Sequence, residues 1–249
     1  PNMGGASSRL ARINEIRKEK GKQNVLLFDS GDIIQGTPYF NYFKGEVDFK
    51  IMNKMGYSAV TIGNHDFDGG MEVLAKNIEN SNFPFITSNY QFKDTIIDKK
   101  TLKYKIFKIK NIKIGVLGIG IKLKGLVEEK MYKKTKYLDP VESANLTARK
   151  LKTKGCDYII CLSHLGLKYE TNKISDVKLA QQTENINLII GGHTHTFMNE
   201  PYLVKNKRNK QVQITQAGWA GVKLGRIDVI FDKRKKIKNT NFTGIKIIN

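Results

Sequence analysis

Four apolar runs, each ending in a short polar cluster, constrain the fold of this chain more than any other feature of its sequence. They are NVLLFDSGD at 24–32, AVTIGNHD at 59–66, DYIICLSHLG at 157–166 and INLIIGGHTH at 186–195. Continuous β-branched and apolar runs of about four to six residues are typical of strands buried on both faces. Each run therefore predicts a buried strand, and each strand ends in Asp, Asn or His.

Helical patterns separate these runs. The clearest one has Asp139 as its N-cap, Pro140 at the first helical position and Gly155 at its C-terminal end. Further helices are predicted for residues 7–21, 45–55 and 70–79. Because helices and buried strands alternate along the chain, the sequence predicts an α/β (α+β) fold.

Two regions alternate between apolar and polar residues instead. LKYKIFKIKNIKIGVLGIG at 102–120 predicts a β-hairpin that turns near Asn111. The segments 200–218 and 222–232 read as antiparallel strands joined by charged or glycine-containing turns. Antiparallel strands beside buried α/β units indicate two packed sheets rather than one open sheet.

The chain is strongly basic, with a formal net charge of +20. Most of its 43 basic residues are lysines spread along the chain, whereas nucleic-acid sites favour clustered arginines with interleaved aromatic residues. A solvated lysine-rich surface is therefore favoured over a nucleic-acid groove, and either one attracts anionic substrates. No apolar run approaches the ~18 residues of a membrane helix.

All the histidines of the chain lie where a predicted strand ends, and so does Asp32. The histidines are His65, His164, His193 and His195. One such residue would most often be an ordinary turn or capping residue, but the carboxyl ends of strands in α/β sheets converge where ligands bind. Four histidines at such ends therefore favour a common site.

The residue types at these strand ends indicate metal binding. Imidazole with carboxylate and amide oxygen suits Zn, Mn, Fe or Co, without the thiolates of a structural zinc site. Two such ions about 3.5–4 Å apart, bridged by a carboxylate, commonly serve phosphoryl chemistry. Asp32 is the natural bridge, and Asp29 is its nearby rival.

The motifs SGD, GNHD, SHLG and GGHTH, in this order and at these intervals, resemble motifs two to five of the calcineurin-like metallophosphoesterases. With NMGGASSRLARIN, SGDIIQGTPYF, GNHDFDGG and GWAGVKLGRIDVIF added, nearly the whole chain is similar to the catalytic domain of the secreted bacterial 5′-nucleotidase family. The resemblance implies a four-layer α-β-β-α sandwich and a dinuclear metal site. It also implies nucleotide catabolism, by hydrolysis of phosphate monoesters such as nucleoside 5′-monophosphates with a metal-bound hydroxide.

The same resemblance implies a set of metal ligands. Asp32 is expected to bridge two divalent ions, and Asn64, His164 and His193 are expected to complete one of them. His195 then belongs to the other ion.

The resemblance gives a different role to the histidine of GNHD. His65 is expected to face the scissile phosphate rather than to ligate metal, and Asp68 is expected to pair with it. An imidazolium at that place stabilises developing charge and can protonate the leaving oxygen. Asp66, between the two, is expected to be structural.

Residues 1–249 are expected to form one metallophosphoesterase catalytic domain that lacks two parts of the family pattern. The family's Asp-x-His motif, which supplies two ligands to the second metal, would lie upstream of Pro1. The nucleotide-binding C-terminal domain of the two-domain members would lie beyond Asn249 or act as a separate protein, or this enzyme would work without it. We therefore expect one metal, or a partly filled second site, in this chain. By family analogy the protein is expected to be exported to the periplasm or cell surface.

Two alternatives stay open on the sequence. The first is a phosphodiesterase or nuclease of the same superfamily, to which the charge of +20 lends support. The second is an inactive binding module, an interpretation that applies to this chain without its upstream motif. The complete set of ligand residues that the chain does contain argues against that interpretation for the native protein.

Overall fold

The computed structural model describes residues 3–36 and 38–248. The helices in these residues are α1 (Ala6–Lys20), α2 (Tyr39–Phe43), α3 (Glu46–Met55), α4 (Gly70–Glu79), α5 (Glu129–Tyr132), α6 (Pro140–Thr153) and α7 (Asp176–Gln182). The strands are β1 (Phe28–Asp29), β2 (Ala59–Val60), β3 (Tyr90–Gln91), β4 (Tyr104–Ile109), β5 (Ile112–Ile119), β6 (Lys136–Tyr137), β7 (Tyr158–Ser163), β8 (Leu188–Gly191), β9 (Tyr202–Lys205), β10 (Gln211–Thr215), β11 (Lys223–Phe231) and β12 (Ile237–Lys246).

Six strands form the main sheet, in the order β4-β5-β7-β8-β10-β9. The four central strands are parallel, and the two edge strands β4 and β9 are antiparallel to their neighbours. The predicted hairpin near Asn111 is the β4–β5 pair. Smaller pairs are formed by β1 with β2, β3 with β6 and β11 with β12.

Three apolar layers separate four layers of secondary structure. The first lies between α6 and α7 and the main sheet, and includes Leu151, Leu179 and Cys161. The second lies between the main sheet and the β11 face, in a cluster that includes Ile160 and has Val229 packed against it. The third joins β2 to α3 and α4, in a cluster that includes Val60, Phe49, Met52, Leu74 and Ala75. The α-β-β-α sandwich that the resemblance implies is therefore confirmed.

Strand β7 shows why the central runs carry no alternation. All six of its residues are buried. Ile159 and Cys161 face the helices, whereas Ile160 and Leu162 face the second sheet layer. A strand covered on both faces needs apolar side chains at every position, as predicted.

The predicted helices are confirmed. In α6 the side chain of Asp139 accepts a hydrogen bond from the amide of Glu142, and Pro140 occupies the first turn. Gly155 follows the helix with a φ of 79°, a conformation that glycine adopts at little cost.

The first two predicted strands are shorter than their apolar runs. β1 and β2 have two residues each, because the chain leaves extended geometry at the glycine-containing motifs that follow. Gly31 has a φ of 88° and Asp32 has a φ of 60°. Strand β12 was not predicted, since its largely exposed residues IKNTNFTGIK give a weak apolar signal. It forms through backbone pairing with β11.

A cavity of about 990 Å³ runs between the two sheet layers. Its middle is apolar and includes Ile114, Ile160 and Ile227, while one end is lined by the predicted histidines and Asp32. None of the helices in the described residues is both long enough and apolar enough to cross a membrane.

Replacing Asp139 by Ala should destabilise the protein by about 1 kcal/mol, because the N-cap acceptor for the Glu142 amide is lost. Urea unfolding measures the change in free energy of unfolding. Arg149→Ala, at an exposed position of the same helix, is the control and should change stability by less than about 0.5 kcal/mol. Equal effects of the two substitutions would contradict the capping role.

Candidate active site

The carboxyl ends of β1, β7 and β8 bring three of the predicted ligand residues together. Asp32 follows β1, His164 directly follows β7, and His193 follows β8. One potential ligand atom of each residue lies within 4.8 Å of those of the other two. The rings of His164 and His193 are 5.3 Å apart between centroids. The predicted convergence at strand ends is therefore present, although β1 belongs to a different sheet from β7 and β8.

His164 is fixed by two contacts to the loop after β1. Its Nδ1 lies 2.6 Å from the carbonyl oxygen of Ser30, and because a carbonyl only accepts, Nδ1 carries the proton. Its Nε2 lies 2.8 Å from Asp32 Oδ2, yet that nitrogen has no hydrogen-bond partner among the described residues. Nε2 and the Asp32 carboxylate thus face each other in a buried place, and a cation between them, a proton or a metal ion, satisfies both.

The charges of this pair support each other. Burial opposes the charged form of Asp32, but His164 holds the pKa of Asp32 below its usual value. Burial likewise opposes a charged His164, but the Asp32 carboxylate raises the pKa of His164. Asp32 is therefore an ionised carboxylate, as a metal ligand must be.

Asn64 also fits a metal site. It is buried, and its Oδ1 has no hydrogen-bond partner among the described residues. Its neighbours on both sides approach Asp32: the amide of His65 donates to Asp32 Oδ1 over 2.7 Å, and a Cβ on Gly63 would lie 2.2 Å from the same oxygen. Buried polar atoms normally have partners, so the orphaned atoms of Asn64 and His164 fit the ligation of a divalent ion.

His195 lies apart from the three-residue cluster. Its side chain is exposed, and its ring stacks on Trp219 at 6.1 Å with an interplanar angle of 17°. It lines the same cavity as Asp32 and His193. Its role at a second metal stays a prediction.

Three of the predicted ligand residues adopt left-handed backbone conformations. The φ angles are 60° for Asp32, 68° for His193 and 52° for His195. Such conformations cost a non-glycine residue about 1–3 kcal/mol and are concentrated at functional sites, where the surrounding structure enforces them. Three of the eleven non-glycine residues with positive φ in the described part of the chain are thus predicted ligands.

His65 pairs with Asp68 as expected. Nδ1 of His65 lies 2.7 Å from Asp68 Oδ2, within the turn that leads into α4. The His65 side chain is 45% exposed and lines the cavity. The carboxylate of Asp68 thus fixes the orientation of an accessible imidazole.

Asp66 has contacts that fit a structural role. Its buried carboxylate accepts hydrogen bonds from the amides of Asp32, Ile33 and Gly63, at 2.8–2.9 Å. Burial raises the pKa of Asp66, nearby Asp32 adds to the rise, and the amide donors oppose it. These bonds hold the SGD loop against the GNHD loop.

Asp29, the rival bridging carboxylate, lies outside the cluster. Its Oδ1 accepts from the amide of Gly31, and burial raises the pKa of Asp29 to about 6. Asp32 is therefore the carboxylate that the structure brings to His164 and His193.

Sequence reasoning missed Gln216, Asp176 and Trp219. Gln216 follows β10 directly, so it occupies a strand end like the histidines, and that position was the available signal. Asp176 begins a short helix, which is an ordinary place for an aspartate. Its burial and its contacts with Ser163 and Gln216 distinguish it.

The family model described as calcineurin-like phosphoesterase matches residues 2–197. Snake venom 5′-nucleotidase of Gloydius brevicauda is 33% identical over 252 residues, covering 94% of this chain and 41% of the relative. NAD 5′-nucleotidase of Haemophilus influenzae is 33% identical over 195 residues, covering 78% of this chain and 31% of the relative. The chain thus spans less than half the length of these relatives.

The fold has a solved counterpart. The 5′-nucleotidase precursor from Thermus thermophilus superposes with a TM-score of 0.87 at 28% identity, over 98% of this chain and 49% of that chain.

Gly63→Ala should disrupt the cluster, because the new Cβ would lie 2.2 Å from Asp32 Oδ1 and 2.6 Å from the Asp32 amide nitrogen. We expect Mn²⁺ affinity, measured by calorimetry, to fall by at least about tenfold. Gly225→Ala is the matched control, since its Cβ would meet only Phe242 at an ordinary 3.6 Å. Unchanged Mn²⁺ affinity in Gly63→Ala would show that Asp32 is not held as described.

Proposed function

Since this chain belongs to the calcineurin-like phosphoesterase family, we propose that it hydrolyses phosphate monoesters, with nucleoside 5′-monophosphates or related nucleotides as substrates. The observation that carries the proposal is the meeting of Asp32, His164 and His193 where strand ends of the two sheet layers come together, with potential ligand atoms within 4.8 Å of one another. The names of the relatives, which are nucleotidases, support the monoester substrate over the phosphodiester alternative.

Membership in the family implies divalent metal ions, and this chain offers residues to hold them. We assign Asp32, Asn64, His164 and His193 to one ion, and His195 with bridging Asp32 to a second. Mn, Zn, Fe and Co suit this donor set. When bound, such ions lower the pKa of a water molecule and neutralise phosphate oxygens.

The proposed task of His65 follows from its contacts. Asp68 holds the Nδ1 proton of His65, which leaves Nε2 as the atom available to a substrate in the cavity. As an imidazolium, His65 can donate a hydrogen bond from Nε2 to a phosphate oxygen and pass that proton to the leaving oxygen, which leaves the neutral Nδ1–H form bonded to Asp68. Asp68 thus fixes the ring orientation that this transfer requires.

The whole protein's arrangement is part of the proposal. Residues 1–249 would form the catalytic domain, and an Asp-x-His motif upstream of Pro1 would complete the second metal. A C-terminal-type nucleotidase domain, in the same protein or as a separate partner, would supply nucleoside contacts. Export is supported by relatives such as the snake venom enzyme.

The proposal is tested by assaying the full-length protein, after chelation and after addition of Mn²⁺. We expect hydrolysis of 5′-AMP and of an activated aryl phosphate with metal, and none without it. A cyclic nucleotide and an oligonucleotide serve as comparison substrates. Faster cleavage of either one than of 5′-AMP would favour the phosphodiesterase or nuclease function, and no turnover of any substrate with metal would reject the proposal.

Two neighbouring substitutions separate the proposed roles. His65→Asn should lower kcat by about 10²–10⁴-fold, because the proton donor is lost, while metal content stays at the level of the unmodified protein. Asn64→Ala should instead weaken Mn²⁺ binding by at least about tenfold. Elemental analysis and calorimetry measure the metal. Loss of metal in His65→Asn, or normal binding in Asn64→Ala, would reverse the assignment.

A further inference from the structure

Two buried polar side chains lie behind the histidines and have no part in the chemistry proposed above. Asp176 is the first residue of α7 and is 0% exposed. Gln216 follows β10 and is 2% exposed. Their side chains meet: Gln216 Nε2 donates to Asp176 Oδ2 over 3.3 Å. Buried polar pairs of this kind specify geometry only when all their members have partners.

Both ends of the Gln216 side-chain amide form hydrogen bonds with the loop that carries His193 and His195. Its Nε2 also donates to the carbonyl of Gly192 over 2.9 Å. Its Oε1 accepts from the amide of Thr196 over 3.1 Å and from Thr194 Oγ1 over 3.2 Å. The NH2 group of the amide faces acceptors, and its oxygen faces donors. The orientation of the amide is therefore fixed.

Asp176 extends this network to the segment of the third histidine. Its Oδ1 accepts from Ser163 Oγ over 2.5 Å, and Ser163 directly precedes His164. Its amide donates to the carbonyl of Gly166 over 2.8 Å. Asp176 therefore contacts the chain on both sides of His164.

The sequence leaves room for the pair. A Cβ at Gly191 would lie 2.2 Å from Asp176 Oδ2 and 2.9 Å from Gln216 Nε2. Gly191 has no positive φ, so the space for the two side chains, rather than the backbone conformation, accounts for glycine at the start of GGHTH.

The hydrogen bonds of Gln216 lie on both sides of the strained part of the His193–His195 loop. Gly192 and Thr196 flank His193 and His195, whose φ angles are 68° and 52°. A left-handed conformation at two non-glycine residues persists only if neighbouring contacts enforce it. The hydrogen bonds at both ends of the segment supply such contacts.

We propose that Asp176 and Gln216 are positioning residues, which set the orientation of the His193–His195 loop relative to His164. For its consequence at the metal this inference rests on the proposed function. The positioning of the loop does not depend on the proposed function. The His164 and His193 rings are 5.3 Å apart at 67°, and this arrangement involves only the protein's own side chains.

The geometry is tested first in metal-free protein by NMR. The four histidines of the chain give few imidazole signals, and the nuclear Overhauser contact between the His164 and His193 rings reports their approach. We expect Gln216→Ala, which removes every contact of the amide, to abolish this cross-peak. Asp176→Asn is the second variant, for the case in which Gln216→Ala fails to fold. It keeps the shape of the side chain and should weaken the cross-peak.

A matched control distinguishes positioning from general stability. Asn206 is also buried, and its amide bonds the carbonyl of Glu184 and the amides of Arg208 and Lys210. It lies in the turn before β10, whereas Gln216 follows that strand. Asn206→Ala should lower the Tm but leave the cross-peak between the histidine rings unchanged.

Mn²⁺ affinity provides the second measurement. We expect Gln216→Ala and Asp176→Asn to bind Mn²⁺ about 10–100-fold more weakly than the unmodified protein, and Asn206→Ala to bind it normally. An intact cross-peak with normal affinity in both site variants would overturn the inference, as would an equal loss in Asn206→Ala. If the unmodified protein binds no Mn²⁺, the proposed function fails, and the cross-peak alone decides whether the pair positions the rings.

Discussion

The imidazole of His164 joins the two sheet layers of this protein at one point. Its ring belongs to the end of β7 in the main sheet, and both of its nitrogens contact the loop that follows β1 in the second layer. Ser30 strengthens the junction, since its hydroxyl donates to the carbonyl of Ile190 in β8. The site therefore exists only where the sandwich is closed, and the packing of the two sheets is a condition for the chemistry.

The polar groups around that junction range from fully buried to accessible. The carboxylates of Asp66 and Asp176 are buried and hold backbone segments. Asp32 is partly buried and faces His164, whereas His65 and His195 are open to the cavity. Acidic groups thus collect at the cluster while the chain as a whole carries a charge of +20. That combination attracts cations to the cluster and anionic esters to the surface around it.

The sequence predicted the features that have a local or repetitive signal. The buried run of β7 and the capped helix α6 carry such signals, and they were confirmed. The grouping of Asp32, His164 and His193 followed from a rule about strand ends, which is topological and needs no distances. The preference for Asp32 over Asp29 was also made on the sequence, and of the two it is Asp32 that lies in the cluster with His164 and His193.

What the sequence did not reveal depends on contacts distant along the chain. Strand β12 forms through pairing with β11, although its own residues are mostly polar. The role of Gln216 depends on its hydrogen bonds with Asp176, Gly192 and Thr196, which form only in the folded chain. The stacking of Trp219 on His195 is likewise a property of two loops that meet.

The stack of Trp219 on His195 has an optical consequence. Trp219 is the one tryptophan of the chain, it is 58% exposed, and it lines the cavity. All indole fluorescence of this chain therefore arises beside a histidine assigned to the second metal. Binding of a quenching ion at that histidine, or entry of a ring that stacks on the indole, would change the emission of the unlabelled protein.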